Sequence, residues 1–160
     1  LPNELPFNAS FLAPRLGDPH DPQAGAWLDS IDRSMSELTP DDVVVGHSHG
    51  GAMFLKYVAE RRPETRLAAL VLLAAPFWGK FGWDSDEFCL KQGFEAQLEG
   101  IDHIIIGHGL EDEIVSIEHA KAYADRLPRS ELHLLKGVGH DFDGPQREEI
   151  AQVLSRLLAN

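Results

Sequence analysis

Cysteine is almost absent. Cys89 is the single one among 160 residues, so no disulfide can close within the chain, and a reducing, cytoplasmic setting is expected. It lies in Asp-Glu-Phe-Cys-Leu-Lys, a context that reads as a buried helical cysteine rather than a nucleophile. Positive charge is also scarce. Fourteen Lys and Arg against 26 Asp and Glu leave a formal net charge of -12, which argues against nucleic acid or an anionic membrane as a partner. No apolar run approaches the length of a bilayer span, so no membrane association is expected. Residues 1–8 carry two prolines and no basic-then-apolar leader. Internal repeats and low-complexity tracts are missing too.

What remains is ordinary globular material. Hydrophobic residues make up 43% and charged ones 25%. The length suits one domain, spanning residues 1–160, that buries roughly 70% of its unfolded surface. Residues 9–13 suggest a short strand stopped by Pro14, and 17–22 are loop chemistry. From 24 to 38, Trp27, Ile31, Met35 and Leu38 recur at helical spacing. Residues 67–75 and 103–107 are almost wholly apolar and read as buried strands, with a fourth, shorter strand at 132–135. Ser116 is placed to cap a helix striped by Ile117, Ala120, Ala124 and Leu127. A last helix follows Pro145, with Ile150, Val153, Leu154, Leu157 and Leu158 on its stripe. Between the second strand and the third, 76–98 holds six of thirteen aromatics and reads as an irregular, lid-like excursion. Strands alternating with helices predict an α/β fold, a mostly parallel sheet covered on both faces.

Residues 41–61 organise the rest. Val43, Val44 and Val45 predict a short strand buried on both faces, and Gly46-His47-Ser48-His49-Gly50 follows at once. A helical stripe of Phe54, Tyr57 and Val58 comes next. Strand, Gly-x-Ser-x-Gly, helix is the setting in which a serine hydroxyl is lifted above the strand ends on a strained turn. Larger residues at 46 or 50 are expected to clash there. The helix N-terminus then faces the reacting centre.

A serine becomes a nucleophile when a base takes its proton and a third group holds the base. Ligands of parallel sheets bind beyond the carboxyl ends of the strands. The loop after 103–107 offers Glu111, Asp112 and Glu113, and that after 132–135 offers Gly137-Val138-Gly139-His140. Serine, acid and histidine come in the order used by one convergent version of this chemistry.

These three segments resemble the signatures of the α/β-hydrolase superfamily. Residues 11–22 with Trp27 are similar to the small YdeN-like serine hydrolases. The likeness covers essentially the whole chain from Leu5 on. It implies an α/β-hydrolase sandwich, Ser48 as nucleophile, Asp112 as orienting acid, His140 as base, and the His49 backbone N–H as an oxyanion donor. It implies no cofactor and a small acyl compound as partner. Phe77, Trp78 and Phe81 are candidates for the substrate pocket. The sequence departs from the superfamily in two places. Nothing matches the usual first strand and oxyanion loop. The superfamily places that strand between those matching 9–13 and 42–47, so the two are expected about two strand spacings apart, and a longer natural protein is expected to fill the gap. Ser116 also stands where many relatives have proline.

Blander readings compete at each position. Glu111 and Glu113 read as solvated loop charges, with spacing to Val115 favouring Asp112. Asp141 and Asp143 read as helix caps, and His47 as packing beneath the turn. A metal held by His47, His49, His108 and His140 lacks a supporting carboxylate–histidine motif. The leading function is hydrolysis of small esters, thioesters or amides through an acyl-enzyme. The alternative is a hydrolase-fold protein-interaction module with little catalysis.

Overall fold

The computed structural model describes residues 10, 12–18, 20–35, 37–142, 148, 151–152 and 155. Four strands form one parallel sheet in the order β1 (Val43–His47), β2 (Leu67–Leu73), β3 (Ile101–Gly109), β4 (Glu131–Leu135). Pairing places Val45 beside Val71, Val71 beside Ile105, and Ile105 beside Glu131. The helices are α1 (Ala24–Ser34), α2 (His49–Arg61) and α3 (Ile117–Arg126).

β2 is central, and its alternate residues point to opposite faces. Leu70 and Leu72 join α1, α2 and α3 in the larger core, with Trp27, Ile31, Met53, Leu55, Val58 and Tyr123. Val71 and Leu73 meet Ile105, Leu135 and Val138 on the other face. The third strand runs longer than the expected 103–107, because Ile101 pairs with Leu67 at its start and His108 and Gly109 continue the ladder to β4 at its end.

Several expectations change. Val43–Val45 are not buried on both faces: Val45 is 40% exposed. Among the described residues β1 pairs only with β2, so it forms an edge. Of the predicted strand at 9–13, Ser10, Leu12 and Ala13 have no strand conformation, while Ala9 and Phe11 lie outside the described residues. α1 stops at Ser34 instead of Leu38, yet Met35 and Leu38 still pack on the core. Ser116 occupies the N-cap of α3 but makes no side-chain cap bond. Most of the helix read after Pro145 lies outside the described residues; Glu148, Ala151, Gln152 and Ser155 are helical.

The 76–98 excursion folds into two 3-10 turns, Asp86–Phe88 and Phe94–Leu98, and a tight reversal in which Lys80 bridges Trp83. Cys89 therefore follows a 3-10 turn and is half-buried rather than helical. Two contacts tie the excursion down. The buried Lys56 ammonium donates to the Cys89 carbonyl and to Glu60, both at 2.6 Å. The Glu87 carboxylate accepts the Ala24 N–H at 2.8 Å, serving an α1 terminus that lacks its own cap. Among the described residues no helix is long and apolar enough to cross a membrane.

Candidate active site

β1, β3 and β4 run parallel, so their C-terminal ends lie along one rim, and each delivers one polar side chain there. Ser48 follows β1 directly. Its φ of 50° and ψ of −129° lie outside the regions open to ordinary residues. Its N–H donates to the Leu73 carbonyl of β2 at 2.8 Å, which holds the turn in place. Close approach of Gly46 and Gly51 makes the bend possible: a Cβ on Gly46 would lie 2.4 Å from the Gly51 Cα, and one on Gly51 would lie 2.7 Å from the Gly46 carbonyl oxygen. Gly50 has open space instead, so the second crowded glycine is Gly51 and not the one expected at 50.

The three residues singled out as acid, base and nucleophile meet. His140 Nδ1 is 2.9 Å from Asp112 Oδ2, and His140 Nε2 is 3.1 Å from Ser48 Oγ. A carboxylate only accepts, so His140 carries its proton on Nδ1 and turns a lone pair toward the serine hydroxyl. The Asp112 side chain is 0% exposed. Its Oδ1 accepts the Ile114 and Val115 N–H groups, each at 2.9 Å. Burial pushes this carboxyl up, but the bonds from Val115, His140 and Ile114 outweigh it and hold it below its usual range.

The neighbouring carboxylates separate clearly. Glu113 is exposed. Glu111 is exposed too, as expected of a solvated charge, yet it accepts the Gly137 and Val138 N–H groups at 2.6 and 3.1 Å and so braces the loop that carries His140. The same loop is held by Glu111 N–H donating to the Val138 carbonyl. Nothing in the local pattern distinguishes Glu111 from Glu113; only the return of the 136–140 loop does. Gly109 allows that return, since a Cβ there would sit 2.2 Å from the Val138 carbonyl oxygen. Asp141 is exposed, and Asp143 lies outside the described residues.

The other histidines have separate surroundings. His47 is exposed, not packed beneath the turn, and its Nε2–H donates to the His140 carbonyl at 2.8 Å. The His49 ring meets Trp27, Trp78 and Phe88 edge-on at centroid distances of 4.6, 5.5 and 4.7 Å. Burial lowers its pKa, so the ring sits there neutral. His49 is the first residue of α2, where a backbone N–H has no partner within the helix. His108 is fully buried, and its Nε2–H donates to the Val115 carbonyl at 2.9 Å, supporting the loop that carries Asp112. His119, also fully buried, accepts the Phe77 N–H at 2.8 Å. Among the described residues no three His, Cys, Asp or Glu side chains are grouped to hold a metal ion.

The aromatic candidates divide. Phe77 is 6% exposed and packs on Tyr123 and Phe94 at 4.8 and 6.4 Å, so its ring is part of the core. It directly follows Pro76, whose carbonyl accepts the Tyr123 hydroxyl, and that bond anchors the start of the excursion. Trp78 is half-buried and touches His49, beside Ser48. Phe81 is 49% exposed at the tip of the reversal, where its φ is 55°.

The parallel sheet and its helices match solved structures of the α/β-hydrolase fold. The ydeN gene product of B. subtilis matches with a TM-score of 0.77 at 19% identity over 91% of this chain and 80% of its own. Est1E from Butyrivibrio proteoclasticus gives a TM-score of 0.59 at 19% identity, covering 86% of this chain and 72% of its own. A meta-cleavage product hydrolase from Pseudomonas fluorescens gives 0.63 at 14% identity, covering 90% and 75%. None of the curated proteins compared with the chain matches it. The family described as serine hydrolase matches residues 10–144, and the chain belongs to that family.

Proposed function

We propose that this hydrolase cleaves small carboxylic esters, thioesters or amides through an acyl-enzyme on Ser48. The observation that carries the reading is the unbroken run of hydrogen bonds from Asp112 through His140 to the Ser48 hydroxyl. As Ser48 Oγ attacks the substrate carbonyl carbon, its proton passes to His140 Nε2, and Asp112 stabilises the imidazolium. The carbonyl oxygen becomes an oxyanion at the start of α2, where the His49 N–H and the helix dipole favour negative charge. The tetrahedral species collapses, and the leaving group takes the proton from His140. Water then attacks the acyl carbon, giving its proton to His140, and the carboxylic acid departs as Ser48 regains a proton. No cofactor enters these steps. Trp78 and Phe81 are the aromatic residues proposed to line the acyl side of the site, with 76–98 as a short cover on a single domain.

A fluorophosphonate probe tests the reading, because it labels only an activated serine. The wild-type chain should label and hydrolyse para-nitrophenyl acetate, and Ser48→Ala should do neither. An unlabelled, inactive wild type would favour the interaction-module alternative. Labelling that persists in Ser48→Ala would place the nucleophile elsewhere.

A further inference from the structure

We propose that His47 is a positioning residue for the base, clamping the backbone of His140 to the end of β1; this rests on the hydrolase reading above. A carbonyl oxygen only accepts, so the 2.8 Å contact between His47 Nε2 and the His140 oxygen requires a proton on Nε2. His140 is thereby held at three atoms: its carbonyl by His47, its Nδ1 by Asp112, its Nε2 by Ser48. Two of these partners are consecutive residues at one strand end. The nucleophile and the backbone of the base therefore share one rigid support, and the serine–imidazole distance does not depend on the loop alone.

The loop needs such a support. Gly137 and Gly139 loosen it before His140, and Phe142 after it has φ 53°, a region unfavourable to a bulky side chain. The His47 ring lies 5.0 Å from that of His140 and 6.1 Å from that of Phe142, so it contacts both the base and the strained residue. His47 is exposed, so these contacts rather than burial give its ring a reason to sit there.

The test uses the whole chain and three variants. His47→Phe keeps a ring and loses the donor; His47→Gln keeps a donor near the Nε2 position and loses the ring; His47→Ala loses both. Three quantities are read: kcat and KM for para-nitrophenyl acetate, the fluorophosphonate labelling rate, and the downfield NMR signal of the His140 Nδ1 proton. His47→Phe and His47→Ala should lower kcat and labelling about tenfold, short of the roughly 10²-fold that a 1 Å misplacement costs. KM should stay unchanged, the proton signal should broaden or vanish, and His47→Gln should recover most of both. Wild-type kcat and an intact signal in His47→Phe would overturn the clamp, as would His47→Gln behaving no better than His47→Ala. If His47→Phe does not fold, the Gln and Ala variants carry the same comparison. A wild type that neither hydrolyses nor labels, yet shows a proton signal lost in His47→Ala and restored in His47→Gln, would remove the hydrolase reading and leave the clamp standing.

Discussion

Asp112→Asn replaces one oxygen by an amide nitrogen, and the surroundings decide which way the amide turns. Oδ1 accepts two backbone N–H groups, from Ile114 and Val115, so the amide oxygen must take that position. The NH2 group then faces His140 Nδ1. An NH2 donates, so Nδ1 must accept, which moves the imidazole proton to Nε2 and points it at Ser48. In that tautomer His140 cannot take the serine proton. The opposite amide orientation would restore the base but set a donor against two backbone donors. Ile114 is exposed, but the Val115 N–H and the amide's own NH2 would both be buried and unpaired, at about 1–3 kcal/mol each, so the productive orientation lies about 2–6 kcal/mol higher. At 1.36 kcal/mol per tenfold, turnover should fall between about 30-fold and 3 × 10⁴-fold. His108 Nε2, 3.7 Å from Oδ2, already donates to Val115 and does not alter the choice. The assay is kcat for para-nitrophenyl acetate, with a melting curve to confirm folding. Glu111→Gln should be mild, since its amide oxygen can still accept from Gly137 and Val138, and Glu113→Gln milder still. Asp112→Asn retaining more than a tenth of wild-type turnover, or the two glutamine variants losing as much, would refute the tautomer argument.

The crowding at the Ser48 turn predicts that Gly46→Ala and Gly51→Ala each lose about 1–3 kcal/mol. That is roughly 2–4 °C in Tm per kcal/mol at this chain length. Gly50→Ala should match or exceed wild type, since alanine is the better helix former and meets open space; equal losses at 50 and 51 would sink this reading. Stability should also depend on pH through buried histidines. Burial lowers the folded pKa of His108 and His119, so each contributes stability that is complete above the unfolded value of about 6.5 and is lost as pH falls below it. The loss should reach at most about 1.4 kcal/mol per histidine per pH unit. The lowered Asp112 carboxyl adds a further loss only below its unfolded value of about 3.9. Urea unfolding at pH 7.5, 6 and 5 reads the histidine effect, and a flat series would contradict it.

The features legible in the sequence were those that local chemistry dictates. Apolar runs and 3.6-residue stripes marked the four strands and α1 to α3 because each pattern reflects one element's own geometry. That the loops bearing serine, acid and histidine share one rim followed from parallel topology; their order and roles came from the resemblance to a known family. Partners were a different matter. Glu111 and Glu113 are chemically alike, exposed and two residues apart, and only the returning 136–140 loop made one of them a brace. His47 looked like a packing residue until that same loop brought the His140 carbonyl within 2.8 Å of its ring. Phe77 and Trp78 are adjacent, yet one fills the core and the other touches His49. Val43–Val45 had the composition of a buried strand, but burial belongs to neighbours, and the described sheet has β1 at its edge. Gly50 and Gly51 were indistinguishable in the motif; the helix rotation chose Gly51 to meet Gly46. In each case the residue's type limited what it could do, and an approach between segments distant in the chain decided which of those things it did.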